Sequence, residues 1–225
     1  MMLNLFVQKS KNFIVMAKLV LIGGGGHCQS CIEVIEASAK HVIHGILDLP
    51  VLKGNAVSGY PIIGSDEMIP ELAAQGFRFL ITIGHLNNND ARKSLFLKLH
   101  PYLDQLETIV APSSIVSRFS SIGYGTVVMH QAVINSGSSI GDNCIINTGA
   151  LVEHNSKVGN HVHLSTHAVI NGDCTIGNDV FIGSGAVLIN GIHIIDNTFI
   201  AAGAVIHKSI DEAGLYGGNP YHRIK

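Results

Sequence analysis

Histidine is the residue type in this sequence whose number and positions most suggest chemistry. The chain has 13 histidines, and those between Ile122 and Ile206 are His130, His154, His161, His163, His167 and His193. Because imidazole changes charge near neutral pH, it can act as a general base or, when neutral, as a zinc ligand. Outward histidines of a repetitive fold are more often plain polar surface, and we interpret His161, His167 and His193 in that way.

A second candidate site is the glycine run Gly23–Gly26, which is followed by His27 and lies between an apolar segment and a helical pattern. At such a junction, backbone N–H groups and a helix N-terminus can bind a phosphate. Asp48 ends the next apolar segment, where a carboxylate can accept from a sugar or ribose hydroxyl. The second half of a dinucleotide fold is missing, so a mononucleotide-linked ligand fits better than NAD.

Alternating strands and helices would position the glycine run. The pattern predicts strands at Lys18–Ile22, Val42–Asp48 and Phe77–Ile83, and helices at Asp66–Ala74 and Asp90–His100. This alternation is typical of a parallel sheet covered by helices. We therefore predict a small Rossmann-like α/β domain over residues 18–108.

A six-residue repeat would position the histidines. From Val110 to Ile206 an aliphatic residue recurs at every sixth position, and a mostly small residue follows four positions later. A period of six fits neither a helix nor a single strand, but it fits a coil of three short strands, about 18 residues round. The repeat predicts a parallel β-helix over residues 109–225. Its faces carry few charges, so they suit packing against other copies.

Composition excludes several classes of function. The net charge of −2 leaves no basic surface for nucleic acid or an anionic membrane. No apolar run reaches the ~18 residues of a membrane span. We interpret residues 1–17 as a poorly ordered extension, with Met16 as an alternative start. Cys28 and Cys31 are interpreted as helix residues of a cytoplasmic protein rather than as a redox pair.

The chain resembles one bacterial enzyme family in both halves and in their order. The most specific resemblance lies in His163, Gly172 and the stretch Asn147-Thr148-Gly149-Ala150-Leu151-Val152-Glu153-His154. These residues are similar to those of the sugar acyltransferases typified by bacillosamine N-acetyltransferases and sialic acid O-acetyltransferases. In that family hexapeptide repeats form a left-handed parallel β-helix, whereas the general preference for right-handed crossovers would favour the opposite hand.

The resemblance implies a role for each matching residue. His154 would be the general base, Gly172 would direct its N–H at the thioester carbonyl, and Asn147 and Asn155 would complete the catalytic set. The residues that would contact acetyl-CoA are His163, Ser184 and Ala202. The residues that would contact a nucleotide-sugar are Gly25, Gly26, His27, Asp48, Leu49 and Gly84.

The sequence departs from the family pattern at three of these positions. Asn155 stands where the family has an acidic residue that raises the basicity of the histidine. The Asn155 side chain can accept a hydrogen bond from the ring but supplies no charge. Glu153 is the alternative residue to orient the base, although its strand position is expected to point its carboxylate elsewhere. Leu49 stands where the family often has a second acidic residue, and Ala202 replaces a glycine.

These features predict a homotrimeric, acetyl-CoA-dependent N-acetyltransferase that acts on a nucleotide-linked 4-amino-4,6-dideoxy sugar. No metal, nucleic acid or membrane insertion is expected. An alternative within the family is O-acetylation of sialic acid or a related nonulosonate. More distant alternatives are a zinc carbonic anhydrase-like enzyme built on the same β-helix, and a non-catalytic nucleotide-sugar binding protein.

Overall fold

The computed structural model describes residues 16–84 and 89–225. The predicted extension at 1–17 therefore lies outside the described residues except for its last two, and Ala17 already begins the first strand. Residues 85–88, in the loop that follows Gly84, lie outside them as well. None of the helices in these described ranges is long and apolar enough to cross a membrane.

The first part of the chain forms a five-stranded sheet in the order β3-β4-β2-β1-β5. Its strands are β1 Ala17–Ile22, β2 His41–Leu47, β3 Ala56–Val57, β4 Tyr60–Gly64 and β5 Arg78–Ile81. Its α-helices are α1 Gly26–Ser38, α2 Ile69–Ala74 and α3 Asp90–Leu99, and 3₁₀ turns span Pro50–Leu52, Asp66–Met68 and His100–Gln105. The predicted strands and helices are confirmed with ends that differ by one or two residues, except that the predicted helix Asp66–Ala74 consists of the 3₁₀ turn Asp66–Met68 followed by α2.

The β3–β4 hairpin is the element that the sequence pattern did not predict. Its strands are antiparallel and are joined at Ser58 and Gly59, whose φ angles are +48° and +86°. Two residues with positive φ form the tight turn that matches the twist of a hairpin. The Ser-Gly pair between two apolar segments was a usable signal for this turn.

Both faces of this sheet are buried because β1 alternates its side chains between two apolar cores. Leu19 and Leu21 pack with α1, and Val20 and Ile22 pack with α2 and α3. The α1 side also contacts Ile109 at the start of the repeat. The α/β part is thus seated directly on the first coil.

The remainder of the chain forms a parallel β-helix of two-residue strands. They are β6 Ile109–Val110, β7 Ile115–Val116, β8 Ser121–Ile122, β9 Val127–Val128, β10 Val133–Ile134, β11 Ser139–Ile140, β12 Ile145–Ile146, β13 Leu151–Val152, β14 Lys157–Val158, β15 His163–Leu164, β16 Val169–Ile170, β17 Thr175–Ile176, β18 Phe181–Ile182, β19 Val187–Leu188, β20 His193–Ile194, β21 Phe199–Ile200 and β22 Val205–Ile206. A closing hairpin follows, with β23 Leu215–Gly218 and β24 Tyr221–Arg223.

Every third strand belongs to the same sheet, so three sheets enclose one core. The joint sheet contains β6, β9, β12, β15, β18, β21, β23 and β24. The aliphatic sheet contains β7, β10, β13, β16, β19 and β22, and the polar sheet contains β8, β11, β14, β17 and β20. The second residue of each strand from β9 to β22 is an aliphatic side chain in the central core. The corresponding residues of the first three strands, Val110, Val116 and Ile122, are partly buried against that core.

One column of glycines explains part of the repeat. A Cβ on Gly123, Gly141, Gly159 or Gly177 would lie 2.2–2.8 Å from atoms of the next coil. No side chain fits at this corner, because real Cβ contacts are longer. A polar side chain next to this corner accepts a hydrogen bond from a backbone N–H of the preceding coil. Asp142 Oδ1, for example, accepts from the N–H of Tyr124 at 2.7 Å. Charged residues in this column are therefore explained by turn structure.

Arg92 on α3 joins the two parts of the chain. Its guanidinium is fully buried and donates to the carbonyls of Ile81 and Ile83 at 2.8 Å, and to those of Asn143 and Gly125 at 3.2 Å. Burial lowers the pKa of Arg92 to about 10, so the group stays protonated at neutral pH. One side chain thus holds the end of β5 and two coils of the β-helix in a fixed arrangement.

Candidate active site

His154 lies in the turn Glu153–Ser156, which we call the His154 corner, at one edge of the aliphatic sheet. Its imidazole packs over Gly172, one coil further along. A Cβ at Gly172 would lie 2.5 Å from Cε1 and 2.6 Å from Nε2 of the ring. Glycine is therefore required here by the histidine, and the Nε2 edge of the ring lies next to the Gly172 backbone.

The Gly172 N–H donates no hydrogen bond within the described part of the chain, and the residue is buried beneath the His154 ring. A backbone N–H beside a general base is the arrangement that can stabilise an oxyanion during acyl transfer. The structure thus brings together the base and the glycine that the resemblance paired.

The Nδ1 side of the His154 ring faces Asn155 and Asp173. The Asn155 amide nitrogen is 3.4 Å from Nδ1 and donates to Asp173 Oδ1 at 3.1 Å. Asp173 Oδ2 is 3.9 Å from His154 Nδ1. We expected the amide oxygen of Asn155 at this position, whereas the structure places its nitrogen there because the carboxylate of Asp173 accepts from it.

Glu153 turns away from the ring, in the direction that its strand position suggested. Its Oε2 accepts from Asn135 Nδ2 at 2.8 Å and from the backbone N–H of His154 at 3.3 Å. Asp173 was missed by sequence reasoning. The coil length could have found it, because Asp173 lies one coil after Asn155 and shares its left-handed backbone conformation.

The glycine run lines a cavity of about 880 Å³ between the α/β part and the joint sheet. Its walls include Gly84 and Arg92 and, from the β-helix, Asn147 and His163. A Cβ on Gly25 or Gly26 would meet nothing within 4 Å, and neither residue has a positive φ. Neither packing nor a turn requires glycine at these two positions, so they leave the N-terminus of α1 open to close approach.

His27 lies in this cavity as a neutral imidazole. Burial, and to a lesser extent the nearby Arg92 charge, lower its pKa to about 4. Its Nε2 is 3.5 Å from Cys31 Sγ. Burial also raises the pKa of Cys28 to about 11 and that of Cys31 to about 12, so both thiols stay protonated. Protonated thiols are neither nucleophiles nor redox centres, in agreement with their interpretation as helix residues.

Asp48, the residue after β2, binds the backbone of the glycine run. Its carboxylate accepts the N–H of Gly24 at 2.6 Å and that of Leu49 at 2.7 Å. Asp48 lines both the large cavity and a second cavity of about 280 Å³, which Leu49 and Leu95 also line. A carboxylate has about four acceptor positions, so Asp48 retains capacity for a ligand hydroxyl.

Of the residues expected at acetyl-CoA, Ser184 and Ala202 lie in turns at the other edge of the aliphatic sheet, whereas His163 begins β15 of the joint sheet. His163 is buried, with Nε2 3.3 Å from Asn147 Nδ2 and its ring edge-on to Phe181. The hydroxyl of Ser184 bonds Ser165 and Thr166, and Ala202 is exposed one coil further on. Within one chain, His154 and Gly172 therefore lie at one edge of the aliphatic sheet, and Asn147, Ser184 and Ala202 lie at the other.

The outward face of that sheet is apolar. Its outward residues, none of them fully buried, are Ile115, Val133, Leu151, Val169, Val187 and Val205. The corresponding residues of the polar sheet are Ser121, Ser139, Lys157, Thr175 and His193. The outward face of the aliphatic sheet, unlike that of the polar sheet, is thus suited to apolar contact with another surface.

Other histidines have different surroundings. His161 was expected at the surface, but it lies at the joint between the two parts of the chain, with Nδ1 2.9 Å from Asn143 Nδ2 and its ring edge-on to Phe96. Burial lowers its pKa. Ser113 Oγ is 2.8 Å from His130 Nδ1, an exposed pair that the sequence did not predict. Across residues 16–84 and 89–225, no group of three or more His, Cys, Asp or Glu side chains is placed to hold a metal.

Two family models match the chain in the order of its two parts. The model of the PglD N-terminal domain matches residues 18–99, and that of the bacterial transferase hexapeptide (six repeats) matches residues 173–208. UDP-N-acetylbacillosamine N-acetyltransferase of Bacillus subtilis (strain 168) is 33% identical over 120 residues, which are 51% of this chain and 52% of that protein. The chain thus spans about half the length of this curated relative.

Two solved structures match nearly the whole chain. The acetyltransferase domain of PglB from Neisseria gonorrhoeae FA1090 is 30% identical, with a TM-score of 0.86, and the match covers 92% of this chain and 99% of that one. PerB from Caulobacter crescentus, in complex with CoA and GDP-perosamine, is 34% identical, with a TM-score of 0.84 and coverages of 93% and 98%. The predicted fold, an α/β domain followed by a left-handed parallel β-helix, is confirmed. The chain belongs to the family of bacterial sugar acyltransferases in which a PglD-type N-terminal domain precedes transferase hexapeptide repeats.

Proposed function

We propose that this protein transfers an acetyl group from acetyl-CoA to the amine of a nucleotide-linked 4-amino-4,6-dideoxy sugar. The observation that carries the proposal is the packing of the His154 imidazole over Gly172. It places a possible proton acceptor, Nε2, beside a backbone N–H that has no other acceptor in the described chain. A general base and an oxyanion donor are the two groups that accelerate attack on a thioester.

Transfer is direct in this mechanism. The acceptor amine attacks the thioester carbonyl carbon and forms the C–N bond, while His154 Nε2 takes the amine proton. The Gly172 N–H donates to the oxygen on which negative charge develops. When the C–S bond breaks, the proton held by His154 passes to the leaving thiolate of CoA, and the base is restored. General-base assistance of this kind is worth roughly 10²–10⁴-fold.

Burial argues against a covalent acyl-enzyme at the cysteines. The Cys31 thiol lies near His27, but its raised pKa and the lowered pKa of His27 disfavour the thiolate–imidazolium pair that a nucleophile needs. Cys144 is also buried, and burial raises its pKa to about 12. The proposal therefore keeps both substrates bound at once.

The residues that line the glycine-run cavity are the basis for the proposed acetyl acceptor, a nucleotide-linked sugar. Gly25, Gly26 and the start of α1 offer backbone N–H groups for phosphate, His27 and Gly84 line the wall, and Asp48 can accept from a hydroxyl. The relative PerB was solved with a nucleotide-linked sugar, GDP-perosamine, together with CoA. We infer that His163, Ser184 and Ala202 lie along the bound acetyl-CoA.

A homotrimer would complete the site. The aliphatic sheet has His154 and Gly172 at one edge and Asn147, Ser184 and Ala202 at the other. Rotational packing of copies on these faces would bring the first edge of one chain to the second edge of its neighbour. We propose this arrangement together with a domain division at 18–108 and 109–225.

The experiment is release of free CoA thiol from acetyl-CoA, measured with a panel of UDP- and GDP-linked 4-amino sugars and with free and CMP-linked sialic acids. We expect rapid release with one amino sugar and none with His154→Ala, whose trimer should remain folded. Turnover only with a sialic acid would replace N-acetylation by O-acetylation. If no acceptor supports release, the proposed function is wrong.

A further inference from the structure

A histidine that accepts a proton at Nε2 must carry its own proton at Nδ1, so a hydrogen-bond acceptor has to face Nδ1. Asn155 does not supply one in this structure. Its amide nitrogen faces the ring at 3.4 Å, and its oxygen lies on the opposite side, toward the space above Gly137. Which end of an amide is nitrogen is assigned from its hydrogen bonds. Here the assignment follows from the bond to the carboxylate of Asp173.

The carboxylates at the His154 corner are those of Glu153 and Asp173. Glu153 is already an acceptor for Asn135 and for the His154 backbone N–H. Asp173 is tied to the same corner, because its backbone N–H donates to the His154 carbonyl at 2.9 Å. Its Oδ2 is 3.9 Å from Nδ1, an ion-pair distance that a small rotation of either side chain would shorten to a hydrogen bond.

We propose that Asp173 is the positioning residue of the catalytic histidine, holding the Nδ1–H tautomer of His154 and orienting the ring over Gly172. This inference rests on the proposed function. The family pattern has an acidic residue directly after the base, and this chain has Asn155 there. Asp173 supplies the carboxylate from the next coil instead, and Asn155 links the two side chains.

Both side chains are accessible to solvent in the single chain, His154 at 53% and Asp173 at 60%. Water screens their attraction at this exposure, so Asp173 acts here by setting direction rather than by strong binding. The aliphatic sheet borders the same corner, and a second copy packed on it would remove water from the pair. The role of Asp173 is therefore expected to depend on assembly.

The test is a charge-relocation series with the acceptor found in the thiol-release panel. Asp173→Asn should lower kcat about tenfold or more with KM for both substrates within about twofold, because only orientation of the base is lost. The double variant Asn155→Asp with Asp173→Asn puts the carboxylate directly after the base and should recover most of kcat. Glu153→Gln is the matched control, and we expect its kcat within about threefold of wild type.

Misfolding is not expected to confuse the result. Asp173 has φ +61°, and asparagine adopts the same left-handed conformation at Asn143, Asn155 and Asn197. Wild-type kcat in Asp173→Asn, or a larger loss in Glu153→Gln, would overturn the inference while leaving the proposed function intact.

A second measurement does not require that the acetyl-acceptor substrate be known. Two-bond ¹H–¹⁵N spectra of ¹⁵N-histidine-labelled protein report which ring nitrogen carries the proton, and His154→Asn identifies the signals. The Nδ1–H form is expected in wild type and the Nε2–H form in Asp173→Asn. An Nε2–H form in both proteins would overturn the inference. If the panel shows no thiol release, the proposed function fails and the tautomer alone decides the role of Asp173.

Discussion

At the scale of single residues, the site depends on a glycine that leaves room for a ring. Gly172 has neither a positive φ nor a backbone neighbour that excludes a side chain, and the atoms that a Cβ would meet are those of the His154 imidazole. Glycine is needed at this position to leave room for the imidazole ring, and not because the backbone adopts an unusual conformation. Gly25 and Gly26 differ from Gly172, since nothing in the described chain occupies the space next to them, and this open space is the basis of their proposed role at a ligand.

Gly172→Ala should separate ring position from folding. The new methyl group would lie 2.5–2.6 Å from Cε1 and Nε2, so the ring must rotate away from the Gly172 N–H. We expect kcat to fall roughly 100-fold, the magnitude of a lost general base, with little change in Tm. Steady-state kinetics and thermal melting measure the two effects. Unchanged kcat would show that the base does not work from the position over Gly172.

At the scale of elements, the α/β part is held on the β-helix by α3. Arg92 is buried among four carbonyls drawn from both parts, and Lys93, the next residue, forms a partly exposed ion pair with Asp179 at 2.8 Å. Buried carbonyls that lose their hydrogen-bond donor are costly, whereas partly exposed ion pairs contribute little. Variants of Arg92 and Lys93 therefore allow a comparison of how much each side chain stabilises the contact between the α/β part and the β-helix.

Arg92→Met should destabilise the protein by about 3 kcal/mol or more, because buried carbonyls of Ile81, Ile83, Asn143 and Gly125 lose a donor. Lys93→Met should cost about 1 kcal/mol or less. Equilibrium denaturation of both variants measures the difference. Equal effects would mean that Arg92 is not the main tie between the two parts.

At the scale of the whole molecule, one chain holds the two groups of site residues at opposite edges of the aliphatic sheet. The outward residues of that sheet are aliphatic from β7 to β22, whereas those of the polar sheet are hydroxyl, lysine and histidine side chains. The proposed assembly through the aliphatic face would explain both the apolar composition of the face and the separation of the two groups of residues.

Leu151→Asp should therefore produce a monomer of 23.9 kDa without transferase activity, since an aspartate in the middle of an apolar interface is desolvated without a partner. Thr175→Asp, at the matching outward position of the polar sheet, should leave assembly and activity intact. Light scattering and thiol release check both variants. An active monomeric Leu151→Asp protein would refute the shared site.

The sequence by itself determined most of the element types and a set of candidate residues for chemistry that included His154 and the glycine run. The six-residue period from Val110 to Ile206 can bury its aliphatic side chains only as stacked coils, and the glycine run had to lie between β1 and α1. Only the tertiary structure decided which side chains meet, because stacking joins residues one coil apart whose orientations no local pattern specifies. It placed Asp173 and Gly172 beside His154, turned the amide of Asn155, buried Arg92 between the two parts, and divided the site between two edges of one sheet.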